Sequence, residues 1–152
     1  MKELITSARS GNSEQIQQLL DKGADIEYQD EKGFTALIIA TYNNQYEASK
    51  TLLKNNANVD ARDFNGNTAL MGVCFKGYPD IAKLLLDHGA DVNARHGNGG
   101  TALMFASMFG KNELVKLLLD SGADKMLMDN RGLMAVDHAG MQHNMEAIEL
   151  LA

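Results

Sequence analysis

Four glycines recur at one interval: Gly33, Gly66, Gly99 and Gly132 lie 33 residues apart. Their surroundings keep the same step. Thr35-Ala36-Leu37, Thr68-Ala69-Leu70 and Thr101-Ala102-Leu103 share it, and so do Gly23-Ala24-Asp25, Asn56-Ala57-Asn58, Gly89-Ala90-Asp91 and Gly122-Ala123-Asp124. A fixed period of this size marks a tandem array. One unit is too short to bury a core alone, so stability has to come from stacking on neighbours. Stacked units make an extended surface with no deep catalytic cleft, and such surfaces serve binding.

Aligned on this period, the chain divides into units 1–29, 30–62, 63–95, 96–128 and 129–152, read as one domain with no linker between them. The first lacks the usual entry and the last is cut short, so both are expected to act as caps. Hydrophobic residues make up 45% of the chain, enough for a continuous core and too many for global disorder. A formal net charge of −6 disfavours non-specific nucleic-acid binding. No apolar run is long enough for a transmembrane helix, and the start of the chain lacks an apolar signal-peptide core. The single cysteine, Cys74, has no partner in the sequence for a disulfide. A cytoplasmic setting away from membranes is the expectation.

Each full unit reads alike. A turn such as Asp63-Phe64-Asn65-Gly66 opens it, and its glycine suits a positive φ. A first short helix follows, about 68–76 in the third unit, with a threonine near its start. The break falls at Gly11, Asn44, Gly77, Gly110 or His143. A second helix follows, about 79–88 in the third unit, where Pro79 suits the first turn. Glu14, Glu47, Asp80, Glu113 and Glu146 then face the positive end of the helix dipole. Asn12 and Gln15 have the spacing of a capping box. Gly23, Asn56, Gly89 and Gly122 suit left-handed helix ends. Ile81, Leu84, Leu85, Leu114, Leu117 and Leu118 form apolar helical stripes and are read as core.

The pattern resembles the ankyrin repeat across essentially the whole chain. Gly89-Ala90-Asp91-Val92-Asn93-Ala94 matches the family's ending, and Gly66-Asn67-Thr68-Ala69-Leu70-Met71 matches its opening in part. The resemblance implies an all-α solenoid of about five helix–turn–helix units joined by β-turn or hairpin loops. The chain departs from the family's Thr-Pro-Leu-His: it has Thr-Ala-Leu-Ile, Thr-Ala-Leu-Met twice, and Met134-Ala135-Val136-Asp137. The proline and histidine are gone, a style similar to bacterial ankyrin proteins. Asn43-Asn44 and Asn55-Asn56 make the second unit locally the weakest full repeat by this reading.

Signals for catalysis or cofactors are poor. His138 and His143 are five residues apart, a spacing that does not share a helix face, and no third ligand follows. His88, His96, His138 and His143 are read as turn and surface residues, with no metal. Gly97-Asn98-Gly99-Gly100 lacks the preceding strand and the lysine of a phosphate loop. Cys74 shares its register with Thr41, Ser107 and Gly140 and is read as buried and inert. Met71, Met104 and Met134 are expected to fill the core, whereas Met108, Met128 and Met141 fall near the open face. No enzyme activity and no cofactor are expected.

The resemblance places partner contacts on the turn tips and the exposed side of the first helices. Carried over by register, the protein-binding residues are Lys32, Phe34, Tyr42, Arg62, Phe64, Asn65, Phe75, Lys76, Arg95, Asn98, Met108, Phe109 and Arg131. Arg9, Ser10, Gln29, Glu31, Asn43, Asn67, Met128 and Met141 extend the same face. It holds four of the five phenylalanines, and six basic residues against the single acid Glu31, on a chain that is acidic as a whole. Aromatic and arginine side chains are the usual hot spots. The expected function is a non-catalytic module that docks another protein, acidic or mixed acidic and apolar, on its concave face. A dedicated enzyme inhibitor and a self-associating structural subunit are the alternatives, and a monomer is expected.

Overall fold

The computed structural model describes residues 2–152, and among these it contains ten α-helices and no strand. They come in five pairs: α1 (Lys2–Ser10) and α2 (Ser13–Asp21), α3 (Ala36–Tyr42) and α4 (Tyr46–Lys54), α5 (Ala69–Lys76) and α6 (Pro79–Asp87), α7 (Ala102–Met108) and α8 (Asn112–Asp120), α9 (Ala135–Met141) and α10 (Met145–Leu151). None exceeds nine residues, too short to hold together alone in water. Packing supplies the stability. The first helices stack on one another along the array, and the second helices form a parallel row behind them. One apolar core threads both rows, from Leu4 to Leu151, and includes Ile81, Leu85, Leu114 and Leu118. No helix among the described residues is long and apolar enough to cross a membrane.

Chain reversals fall where the period places them. Gly33, Gly66, Gly99 and Gly132 all take φ between 78° and 83°. The breaks within units are left-handed too, including Asn44 (φ 57°) and His143 (φ 55°), and so is the end of the second helix at Asn56 (φ 65°). Thr35, Thr68 and Thr101 cap the first helices, each hydroxyl accepting from the backbone N–H three residues on. In the first unit the capping box is only half formed. Asn12 accepts from the Gln15 N–H, but the Gln15 Oε1 accepts from the Ser7 hydroxyl at 2.8 Å and the Asn12 side-chain amide at 3.4 Å, and the Asn12 backbone N–H donates to the Ser7 carbonyl instead. Met134 also departs from expectation. It is half-buried at the cap position, where the full units have a buried threonine, and does not share the register of Met71 and Met104.

Three ladders tie unit to unit at the periodic spacing. At the turn tips the N–H groups of Phe64, Gly97 and Asn130 donate to the carbonyls of Lys32, Asn65 and Asn98. Behind them, Gln29 Nε2 donates to Gly33 and Arg62 carbonyls, and the Arg62 guanidinium repeats this toward Gly66 and Arg95. On the far side, the N–H groups of Asn58, Asp91 and Asp124 donate to the side chains of Glu27, Asp60 and Asn93. Turn groups that would otherwise be unpaired are thereby satisfied.

Candidate functional site

The face expected to bind is built by the turn tips and the first helices. Each turn is organised by its first residue. Asp63 Oδ1 accepts from the N–H groups of Asn65 and Asn67 at 2.8 and 2.9 Å. Asp30 and Asp129 do the same for Lys32 with Phe34 and for Arg131 with Leu133. In the fourth unit His96 stands at this position, and its Nδ1 faces the Asn98 N–H at 3.4 Å. The role of these residues was missed in the sequence, although Asp30, Asp63, His96 and Asp129 keep the period.

Across from each turn, on the first helix, stands a second register: Ile39, Gly72, Phe105 and His138. What occupies it decides the local shape of the face. In the fourth unit the Phe105 ring lies 5.2 Å from the His96 ring. In the fifth, His138 is buried and its Nε2 lies 2.9 Å from Asp129 Oδ2, so the surface reading of this histidine was wrong. The carboxylate explains the burial, since it gives the ring a partner inside. His138 Nδ1 is buried with no hydrogen-bond partner. Burial disfavours the Asp129 anion, but the N–H groups of Leu133 and Arg131 and the His138 ring outweigh this and lower its pKa. Burial lowers the His96 pKa, against the pull of the Asp63 and Asp129 charges.

Three of the five aromatic residues foreseen for the face, Tyr42, Phe75 and Phe109, are in contact. Tyr42 and Phe75 stack with ring planes 4° apart at 6.4 Å, and Phe109 meets Phe75 edge-on at 4.7 Å. The Lys76 ammonium lies 5.1 Å from the centre of the Tyr42 ring. All three rings remain about 40% exposed. Phe64 is more open, at 68%, with its ring laid over Gly33 of the preceding turn. Phe34 is instead half-buried against the core. Lys32, Arg95 and Arg131 are exposed at the tips. Arg62 is exposed too, but its guanidinium is held across two turns.

Besides a recess between α1 and the turn of the second unit, two recesses open along the rest of this face. The central one, about 330 Å³, is lined by Phe34, Ile38, Ile39, Tyr42, Met71, Gly72, Phe75 and Phe105, with Asp63, Asn65, Asn67 and Thr68 at its polar end. The other, about 500 Å³, is lined by His96, Asn98, Gly100, Met104, Phe105, Met108, Asp129, Asn130, Arg131 and His138. Phe105, the one phenylalanine left out of the sequence reading, separates the two. Met108 is half-buried in the second recess, while Met128 and Met141 are exposed.

Cys74 is not placed as an activated nucleophile. Cys74 is fully buried, and burial pushes its thiol up to about 12. Its neighbours in register explain the small size at that position: the Thr41 and Ser107 hydroxyls fold back onto carbonyls of their own helices. His143 lies at a left-handed break, while His138 points to Asp129.

A family model for ankyrin repeats in three copies matches residues 4–96, and one for ankyrin repeats in many copies matches residues 85–139. No curated protein matches the chain.

Proposed function

The chain belongs to the ankyrin repeat family, whose repeats are generally protein–protein interaction modules, and from that premise we propose that its concave face docks a partner protein without catalysis. The five units act together as one binding body. The observation that carries this reading is the Tyr42–Phe75–Phe109 cluster. Three rings and a lysine sit side by side in the middle of the face and stay open to solvent. Rings that pack on one another lose little conformational freedom when a partner covers them, which favours their use as anchors. Lys76 lies over the Tyr42 ring and Lys32, Arg95 and Arg131 are exposed along the turns, which favours a partner segment that is acidic or mixed acidic and apolar.

The test is capture of the partner from the native source, followed by an affinity series. Phe75→Ala and Phe64→Ala should each weaken binding by about 2 kcal/mol or more. Lys83→Ala and Lys116→Ala, exposed on the second-helix row, should leave it intact. Association should slow as salt rises. If the lysine variants abolish binding while the phenylalanine variants are silent, the partner uses the convex side and the reading fails.

A further inference from the structure

The register shared by Ile39, Gly72, Phe105 and His138 holds a large side chain in three units and none in the third. Gly72 lies inside α5, away from its ends, and its φ is not left-handed. The backbone has no need of glycine there, and a glycine inside a helix costs stability relative to alanine. A Cβ built on it would meet only the edge of the Tyr42 ring, at 3.2 Å. What the missing side chain creates is the central recess.

The fifth unit shows what this recess is shaped to hold. There the same register carries an imidazole, and its Nε2 reaches the turn carboxylate at 2.9 Å. In the third unit the equivalent carboxylate, Asp63, has the same two backbone N–H groups on Oδ1, but Oδ2 has only a long 3.3 Å contact from the Asn67 amide. An acceptor with spare capacity lies at the polar end of an apolar, ring-lined cavity. At about 330 Å³ the cavity is at the small end of binding sites, suited to one side chain rather than a larger ligand.

We propose that the recess over Gly72 takes one aromatic side chain of a partner protein, a tyrosine whose hydroxyl donates to Asp63 Oδ2 and whose chain neighbours are acidic. The ring takes the place that His138 fills in the fifth unit. Tyr42, Phe75 and Phe105 supply ring contacts. The acidic neighbours match Lys76 at the rim and Arg95 at the turn tip. This rests on the concave-face reading above and names its anchor.

The experiment needs no natural partner. The full chain, with labelled isoleucine and methionine methyls, is titrated with p-cresol and with toluene. p-Cresol should give saturable shifts at Ile38, Ile39 and Met71 with an affinity of about millimolar. Toluene should bind at least about tenfold more weakly, the worth of one hydrogen bond to a carboxylate. Gly72→His should rebuild the pair seen in the fifth unit, keep the fold by circular dichroism and abolish the shifts. Should that variant not fold, Gly72→Ala, which narrows the recess by one methyl, should weaken p-cresol severalfold. A capped tetrapeptide of one tyrosine and three acidic residues should shift the same methyls, and its serine version should not. Equal binding of toluene and p-cresol would overturn the role of Asp63. Shifts that survive both glycine substitutions, or that appear at Met104 and Met108 instead, would overturn the site. A native partner that needs Phe64 and Phe75 yet tolerates Gly72→His would end this inference while leaving the concave-face reading intact.

Discussion

The third and fifth units place different residues at the same positions of one repeat. Both have a turn aspartate, Asp63 or Asp129, that gathers two backbone N–H groups on Oδ1. In the fifth unit Oδ2 is taken by the buried His138 ring, at the edge of the larger recess; in the third the facing position is Gly72, and Oδ2 at the end of the central recess has only the 3.3 Å contact from the Asn67 amide. The third unit caps its first helix with Thr68. The fifth has Met134 there, and Asp137 instead accepts from the Met134 N–H at 2.8 Å. The same backbone is thus held in the fifth unit by a helix-to-turn polar pair, and in the third by a threonine cap with the turn carboxylate left short of a partner. The difference teaches that a periodic fold fixes where a position points, and the residue placed there decides whether that position stabilises the fold or is available to bind.

The largest expected effect tests the aspartates directly. Both Asp63→Ala and Asp129→Ala lose a turn, but only the second strands a buried ring. Asp129→Ala should cost about 3 kcal/mol and exceed Asp63→Ala by about 1–2 kcal/mol in urea unfolding. Equal losses would mean that His138 contributes nothing through its partner. The pH dependence carries the same signature. The folded pKa of Asp129 is depressed, so its contribution is complete above the unfolded value of about 3.9 and is lost as pH falls through the folded value. Stability below about pH 4 should therefore fall less steeply in Asp129→Asn than in the parent chain.

The capping difference is smaller. Thr68→Ala should destabilise by about 1 kcal/mol. Met134→Thr should stabilise by about 0.5–1 kcal/mol, since a hydroxyl there would accept from the Asp137 N–H and complete a reciprocal box. No gain would show that Asp137 alone already satisfies that helix start.

How much of this was legible beforehand follows from the chemistry of each feature. The turn glycines, the threonine caps and the apolar stripes were readable because each follows from one residue and its spacing. Tyr42, Phe75, Lys76 and Phe109 were placed on one face by register, and the structure brings them into contact. The two recesses were not legible. They depend on what is absent at Gly72 and on which side chain crosses from helix to turn, as His138 does, and periodicity alone does not encode that pairing. Arg62 was read only as part of the binding face; that its guanidinium also staples two turns depends on which turn carbonyls lie beside it, and periodicity does not encode that.

Gly72 offers a test in which stability and binding should move in opposite directions. Alanine in place of a helical glycine gains about 1 kcal/mol, and displacing the Tyr42 ring by a few tenths of an ångström returns part of it, for a net gain of about 0.5 kcal/mol. At Gly140 in α9 a Cβ would meet nothing within 4 Å, so Gly140→Ala should show nearly the whole gain. If Gly72→Ala stabilises as fully as Gly140→Ala, Tyr42 yields without cost and the recess is softer than its lining suggests.

Effects of similar size are expected at the left-handed breaks, where the third unit has Gly77 at φ 89° and the fifth has His143 at φ 55°. A residue with a Cβ pays about 1–2 kcal/mol in that region, while glycine pays about 0.5–1 kcal/mol of extra chain entropy on folding. The difference leaves a gain of about 0.5–1 kcal/mol for His143→Gly. Asn56, left-handed in the second unit at φ 65°, bears less of the steric cost because asparagine tolerates this region. Asn56→Gly should therefore gain only about 0.5 kcal/mol, and Gly89→Asn, its counterpart in the third unit, should lose a similar amount. Shifts of about 1–4 °C in the thermal midpoint would resolve this order. If Asn56→Gly gains more than His143→Gly, local conformational cost is not what separates the units, and any lower stability of the second unit has to be sought in its packing on the third.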